Sequence, residues 1–571
     1  MASAYELLAE RLRDSFDRLA PGADPVLRPS EHADFQANGA MALAKALGRS
    51  AREVALEIVA TVDLEGVARV EVAGPGFVNI TLDADFLSQR LSALLLDDRL
   101  GLAVVTPPRT VVIDYSGPNV AKEMHVGHLR STVIGDSLAR LERLVGNRVV
   151  ARNHVGDWGT PFGMLIEHLL DLGEDRAIAE LSIGDLNAFY QGARAAFDAD
   201  EGFRERSRAR VVALQSGDAE TRRLWRILVE QSVAYFSEVY AKLDVTLTPE
   251  DVVGESSYND ALEGVVADLE ALGLLVESDG AQCVFPPGFI NRDGEPLPLI
   301  VRKRDEGFGY AATDLAALRD RVEHLGADEL LYVVGAPQVQ HLAMVFAVAR
   351  EAGWLPDSVR CEHVAFGNVL GPDRKMLKTR SGESVKLVSL LDEAIERADA
   401  ALIERGADLE TAARRELAAH VARAAVKYAD LATERVRDYV FDLDRMLAFE
   451  GDTGPYLQYA HARVRSILRR AGEVDLATAT FALEDLSARD LAMGLLAWPD
   501  VVASTLEAAA PHRLCAYLLD LAQRLSAFYD ACPVLKAQGP VRLERLALCD
   551  LTARTLRLGL SGLGIEAPER M

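Results

Sequence analysis

Apolar residues recur at helical spacing from the first turns of the chain. Leu7, Leu8, Leu12, Phe16 and Leu19 fall on one stripe, and a second helical stretch runs from Ala40 to Thr61. The period then changes. VARVEVAGPGFVNITL alternates and is interrupted by Gly74-Pro75-Gly76, which predicts two short strands around a turn. Residues 1–105 thus predict a small α+β unit, followed by a proline-containing linker from Val104 to Arg109. Thr110 to Tyr115 (TVVIDY) is short, apolar and β-branched, the pattern of a buried strand. A polar loop leads into GHLRSTVIGDSLARLERLVG, with Ile134, Leu138, Leu141 and Val145 on one face and Gly146 as the stop. NRVVARNHV predicts the next strand. Strand, loop, helix and strand in succession form a βαβ unit, hence a parallel sheet. LLYVVGA and VRCEHVAFG (359–367) predict later strands of that sheet. Between His168 and Ile300 the pattern is mostly helical, with a strand-like piece near Cys283, and predicts an insertion between two halves of the sheet. From Leu387 to Met571 the pattern is almost wholly helical, with its clearest break at GDTGP (451–455). The predicted architecture is therefore α/β: a parallel-sheet domain at 106–386 with a helical insertion at about 168–300, an α+β domain at 1–105 and an all-α domain at 387–571.

Composition narrows the function. A length of 571 residues suits several domains, and 49% hydrophobic with 26% charged residues excludes a disordered or collagen-like chain. The net charge of −25 excludes an all-over basic nucleic-acid coat but leaves room for a local one. Five cysteines, at 283, 361, 515, 532 and 549, form no CxxC pair, which speaks against a zinc site and against a disulfide framework. A reducing, cytoplasmic compartment is expected. The N-terminus is charged throughout, unlike a signal peptide. No apolar run is long enough for a membrane span, so no membrane partner is expected.

Two stretches carry candidate chemistry. In DYSGPNVAKEMHVGHLRS (114–131), His125 and His128 bracket Val126-Gly127 between a strand and a helix start. Imidazoles there can donate to phosphate oxygens, Gly127 allows close backbone approach, and a helix N-terminus favours anions. A plain polar helix start is the competing reading, and a metal pair lacks a nearby ligand cluster. GPDRKMLKTRSGESVK (371–386) holds five basic residues against two acidic. Lys375 and Lys378 lie three apart in this glycine-bounded loop, suited to neutralising a polyphosphate; a solvated basic loop is the competing reading.

A βαβ unit with HVGH at its first loop and KMLKT (375–379) near the end of the sheet resembles the two signatures of class I aminoacyl-tRNA synthetases, usually written HIGH and KMSKS. The flanks RNHVGDWGTPFG (152–163), GYAATDLAALRDR (309–321) and KTRSGESVKL resemble arginyl-tRNA synthetases in particular. So do HADFQANGAM (32–41), GPGFVNITL (74–82), GDTGPYLQYAHARV (451–464) and the ending LSGLGIEAPERM. The resemblance spans nearly the whole chain. It implies a Rossmann-like catalytic domain, an N-terminal tRNA-binding domain and a C-terminal anticodon-binding domain. A nucleotide-binding dehydrogenase would need G-x-G-x-x-G after the first strand, where SGPNVAKEMHVGH stands instead. A catalytically inactive tRNA-binding paralogue is the alternative that the intact histidines and lysines argue against.

The resemblance also implies substrates and roles: ATP with Mg2+, L-arginine and tRNA(Arg), no zinc, and a monomer. His125, Gly127, His128, Lys375 and Lys378 would serve ATP, and Lys122 the same phosphates. A guanidinium calls for a bidentate carboxylate. Asp314 is the first candidate and Asp114 the second acid, with Tyr310, Gln338 and Asn119 as further arginine contacts. Phe35, Gln36 and Asn38 match the family's contact region for the outer corner of tRNA. The windows 421–470 and 511–571 together carry a net +4, so the rest of the chain stands at −29. Within them Tyr456, Tyr459, Arg463 and Arg470 combine aromatic and basic groups suited to an anticodon loop.

Overall fold

Four short strands pair in parallel in the order β4-β3-β1-β2: β1 (Thr110–Asp114), β2 (Arg148–Arg152), β3 (Glu329–Tyr332) and β4 (Arg360–His363). Parallel neighbours require crossovers. Helix α1 (Val126–Leu144) joins β1 to β2, helix α2 (Ala219–Leu243) belongs to the insertion, α3 (Tyr310–Glu323) precedes β3, and α4 (Val339–Glu351) joins β3 to β4. Seen from the centre, the chain runs one way from β1 and the other way from β3. That reversal opens a crevice at the carboxyl ends of β1 and β3, where open α/β sheets bind ligands. The register sets Arg152, Asp114, Tyr332 and His363 side by side along that edge.

This computed structural model describes the chain except residues 1–2, 160, 183–185, 305–306, 378–384 and 407–408. Among the described residues, no helix is long and apolar enough to cross a membrane. α1 covers one face of the sheet through Gly135, where a Cβ would fall 2.3 Å from Tyr115. α3 and α4 cover the other, in a core that includes Val112, Leu315, Leu318, Leu330, Val345 and Val348. The insertion adds helices and a three-stranded antiparallel sheet of Val276–Ser278, Ala281–Val284 and Leu299–Arg302.

The chain forms two compact units: residues 105–455 with 562–565, and residues 1–104 with 456–561 and 566–571. These do not coincide with the three sequence segments. Helices Leu387–Glu404 and Thr411–Leu431 lie in the unit of the parallel sheet. Buried Arg130 of α1 explains part of this, because a guanidinium out of water needs partners. Its Nε meets Asp430 at 3.3 Å and its Nη1 donates to the Arg437 carbonyl at 2.7 Å. In the other unit, an antiparallel sheet of order Leu27–Pro29, Phe35–Ala37, Phe77–Leu82, Ala68–Ala73 shares its packing with C-terminal helices. Arg489 donates to Asp34 there at 2.6 Å. The helical stretch expected over 40–61 is divided between two helices, Gly39–Leu47 and Ala51–Thr61. Gly48 ends the first in the left-handed region at φ 65°, and Ser50 caps the second with a capping box.

Candidate active site

His125 is the N-cap of α1, and its ring closes a reciprocal capping arrangement with His128. The Gly127 N–H donates to His125 Nδ1 at 3.0 Å, and the His125 N–H donates to His128 Nδ1 at 3.1 Å. A backbone N–H can only donate, so both Nδ1 atoms are unprotonated and each neutral ring carries its proton on Nε2. Burial, and then the neighbouring Lys122 ammonium, hold His125 below the ordinary histidine value. Burial, and then His125, push His128 down to about 3. At neutral pH the pair therefore presents two neutral Nε2–H donors beside the positive end of a helix, with ring centroids 4.0 Å apart.

Gly127 is a steric requirement of this arrangement. A Cβ there would fall 2.8 Å from His125 Cε1 and 2.9 Å from its Nδ1. Gly127→Ala is expected to swing the His125 ring away and lower the ATP–pyrophosphate exchange rate about tenfold or more, with arginine affinity unchanged. Unchanged exchange kinetics would remove this ring position from the chemistry.

The loop before the histidines is held from several sides. The Gly117 N–H donates to Asn153 Oδ1 at 2.9 Å, and Asn153 Nδ2 donates to the Tyr240 hydroxyl of α2 at 2.9 Å. Tyr240 also meets Ser116 Oγ at 2.7 Å, and the Ala121 N–H donates to Ser232 Oγ at 2.9 Å. Ser116 and Ala121 take positive φ of 74° and 59°, strain that this network sustains. Asn119 is exposed and bridges to Gly156, whose Cβ would collide with the Asn119 Oδ1. Lys122 is exposed, its ammonium 4.6 Å from the Tyr190 ring centroid.

Lys375 is exposed on a turn in which the Gly371 N–H donates to its carbonyl at 2.8 Å. Lys378 lies outside the described residues. The stretch that follows returns to the histidine segment. The Val126 N–H donates to the Val385 carbonyl at 3.1 Å, the Leu387 N–H to the Met124 carbonyl at 2.9 Å, and Lys386 pairs with Glu123 at 3.0 Å.

α3 brings the arginine-site candidates onto one stripe. Tyr310 opens it, 72% exposed, and Asp314 follows one turn later. Asp314 meets His341 Nε2 of α4 at 2.6 Å, and that bond holds His341 above the ordinary histidine value. Gln338 is exposed, one turn before His341. Asp114 is buried at the end of β1 and bonds Arg321. Sequence reasoning missed His341, Arg321 and Glu255. Burial, and then the carboxylates of Asp157 and Asp314, push Glu255 up to about 7. The one local signal was the placement of His341 three residues after Gln338.

The tRNA-binding candidates divide. The Phe35 side chain is buried, its ring centroid 6.3 Å from that of Tyr5. Gln36 is partly buried and donates to Asn79 at 2.7 Å; Asn38 is partly buried ahead of helix Gly39–Leu47. On helix α5 (Gly454–Ala471), Tyr456, Tyr459 and Arg463 line a pocket with Ile467 and Tyr529, and the Arg463 guanidinium stands 4.5 Å from the Tyr529 ring centroid. Arg470 is exposed at the end of α5. His461 is buried, its Nδ1 3.0 Å from the Pro568 carbonyl.

Residues 90–443 match the family model described as tRNA synthetases class I (R), catalytic domain; residues 457–571 match the DALR anticodon binding domain, and residues 5–82 the arginyl tRNA synthetase N terminal domain. The arginine–tRNA ligase of Thermobifida fusca is 54% identical, with 100% of each chain covered. That of Streptomyces coelicolor is 50% identical, over 97% of this chain and 96% of the relative. Among solved structures, the arginyl-tRNA synthetase of Plasmodium falciparum superposes with a TM-score of 0.87 at 27% identity, covering 100% of both chains. That of Thermus thermophilus superposes with a TM-score of 0.82 at 26% identity, over 99% of this chain and 100% of that one.

Proposed function

The chain belongs to the arginyl-tRNA synthetase family and is an ATP-dependent arginine–tRNA ligase, and from that premise we propose how its own residues divide the work. In the first step the arginine carboxylate attacks the α-phosphate of ATP and pyrophosphate leaves. In the second, the 2′-hydroxyl of the terminal tRNA adenosine attacks the arginyl-adenylate and AMP leaves. Both need positioned reactants and donors for phosphate oxygens more than a proton-transfer relay. His125 and His128 supply fixed neutral donors; Lys122, Lys375 and Lys378 supply charge; Asp314 receives the guanidinium, with Asp114 as the second acid for the substrate's cationic groups; Tyr310, Gln338 and Asn119 orient the rest of the amino acid. Mg2+ would accompany ATP on its phosphates. The observation that carries this reading is the reciprocal histidine cap, which holds both Nε2–H donors at a helix N-terminus beside the crevice. Tyr456, Tyr459, Arg463 and Arg470 would meet the anticodon loop, and Gln36 and Asn38 the outer corner of tRNA. The enzyme acts as a cytoplasmic monomer in this reading.

Activation is expected to require docked tRNA. The test is ATP–pyrophosphate exchange with arginine alone, with intact tRNA, and with tRNA whose terminal ribose is oxidised. Exchange with both tRNAs and none without them supports completion of the site by docking. Strong exchange with arginine and ATP alone contradicts it.

A further inference from the structure

Arg321 lies two turns beyond Asp314 on the same stripe of α3, about 10 Å further along the axis. It is 1% exposed, yet among the described residues only one of its guanidinium nitrogens meets a hydrogen-bond partner of normal geometry. Nη2 donates to Asp114 Oδ2 at 2.7 Å, while Nε and Nη1 find no acceptor of normal geometry. The guanidinium centre stands 4.9 Å from the ring centroid of Tyr332, the register partner of Asp114 on β3. A charge this deep is costly unless it is paired, and Asp114 is its one ion-pair partner among the described residues. Asp114 Oδ1 accepts no hydrogen bond from the described residues, and the carboxylate keeps a residual exposure of 11%. One oxygen of Asp114 is thus committed to the protein and the other has no donor among the described residues, on a residue that ends β1 beside the crevice.

We propose that Arg321 is a positioning residue for arginine recognition: it pins Asp114 by Oδ2, so that Oδ1 stands as a preset acceptor for the substrate's cationic groups. The inference rests on the reading of Asp114 as an arginine contact. Arg321 touches no substrate and acts only through this carboxylate. The ring of Tyr332 supplies the second face of the clamp and keeps the guanidinium from following the substrate.

The test is a double-mutant cycle between Arg321→Met and Asp114→Asn in the full-length enzyme, read by arginine KM, ATP KM and kcat of aminoacylation, with thermal unfolding midpoints alongside. The expected result is an arginine KM raised at least tenfold by either change, with ATP KM and kcat within about threefold of the parent. In the Asp114→Asn background, Arg321→Met adds nothing further. Arg321→Lys, which keeps the buried charge, restores most of the affinity lost in the Met variant. If Arg321→Met does not fold, Arg321→Lys carries the same cycle, and its smaller KM shift must vanish in the Asp114→Asn background. Effects that multiply, or that fall on kcat and both KM values alike, overturn the proposal. So does an Asp114→Asn effect on arginine with none from Arg321. An Asp114→Asn enzyme with parental arginine KM overturns the proposal together with the reading beneath it.

Discussion

Replacing Asp314 with alanine raises the arginine KM at least about thirtyfold while ATP binding stays near parental. A charge-paired contact to guanidinium in a shielded pocket is worth about 2–5 kcal/mol, and 2 kcal/mol is already that factor. Steady-state kinetics over an arginine titration check it. A shift below about fivefold would reassign the guanidinium to Asp114 or Glu255. The contact with His341 adds a pH dependence. His341 is held above the ordinary histidine value near 6.5 by its bond to Asp314, so the ion pair is fully formed below that value and lost as pH rises through the raised one. Substrate arginine competes with the protonated ring for the same carboxylate. Arginine KM therefore falls as pH rises through that window, and His341→Asn flattens the profile.

Replacing His128 with alanine slows ATP–pyrophosphate exchange about 10²–10³-fold with little change in arginine KM, the usual cost of one fixed donor to developing phosphate charge. The same ring also caps α1, which contributes about 1 kcal/mol of stability. His128→Asn separates the two roles. Asparagine can still accept from the His125 N–H, but it does not place a donor where Nε2–H stands. The asparagine enzyme should be as slow as the alanine one and more stable. Recovery of the rate along with the stability would show that His128 is a cap and nothing more.

What could be read from the chain follows the range of the interactions. β1, α1 and the hairpin around Gly74–Gly76 were legible because strand period, helix period and turn residues are local. HVGH was legible for the same reason, since its four residues make the reciprocal cap by themselves. The break at 48–50 was hidden because Leu47 and Ala51 carry the apolar pattern across it, and only Gly48 and Ser50 hint at a stop and a fresh cap. Phe35 sits in a three-residue strand, too short for a period to tell its buried face from its exposed one. The pocket partners were out of reach for another reason. Asp114 and Arg321 are 207 residues apart, and Asp314 and His341 are 27 apart, so nothing near either acid announces what neutralises it. Arg465 stands among basic neighbours on α5, and only the fold shows that it bonds Glu569, 104 residues on.

In the proposed function, a cation is read by carboxylates in the crevice beside the histidine cap. The most direct measurement is tRNA-supported ATP–pyrophosphate exchange with arginine, lysine and citrulline in turn, compared as kcat/KM. Citrulline matches arginine in shape and lacks the charge, so it forms no ion pair with the acids; lysine carries the charge without the planar fork. Exchange is expected with arginine, with a loss of about 10⁴-fold or more with either analogue. Citrulline exchange within about tenfold of arginine would mean that the site reads shape and not charge.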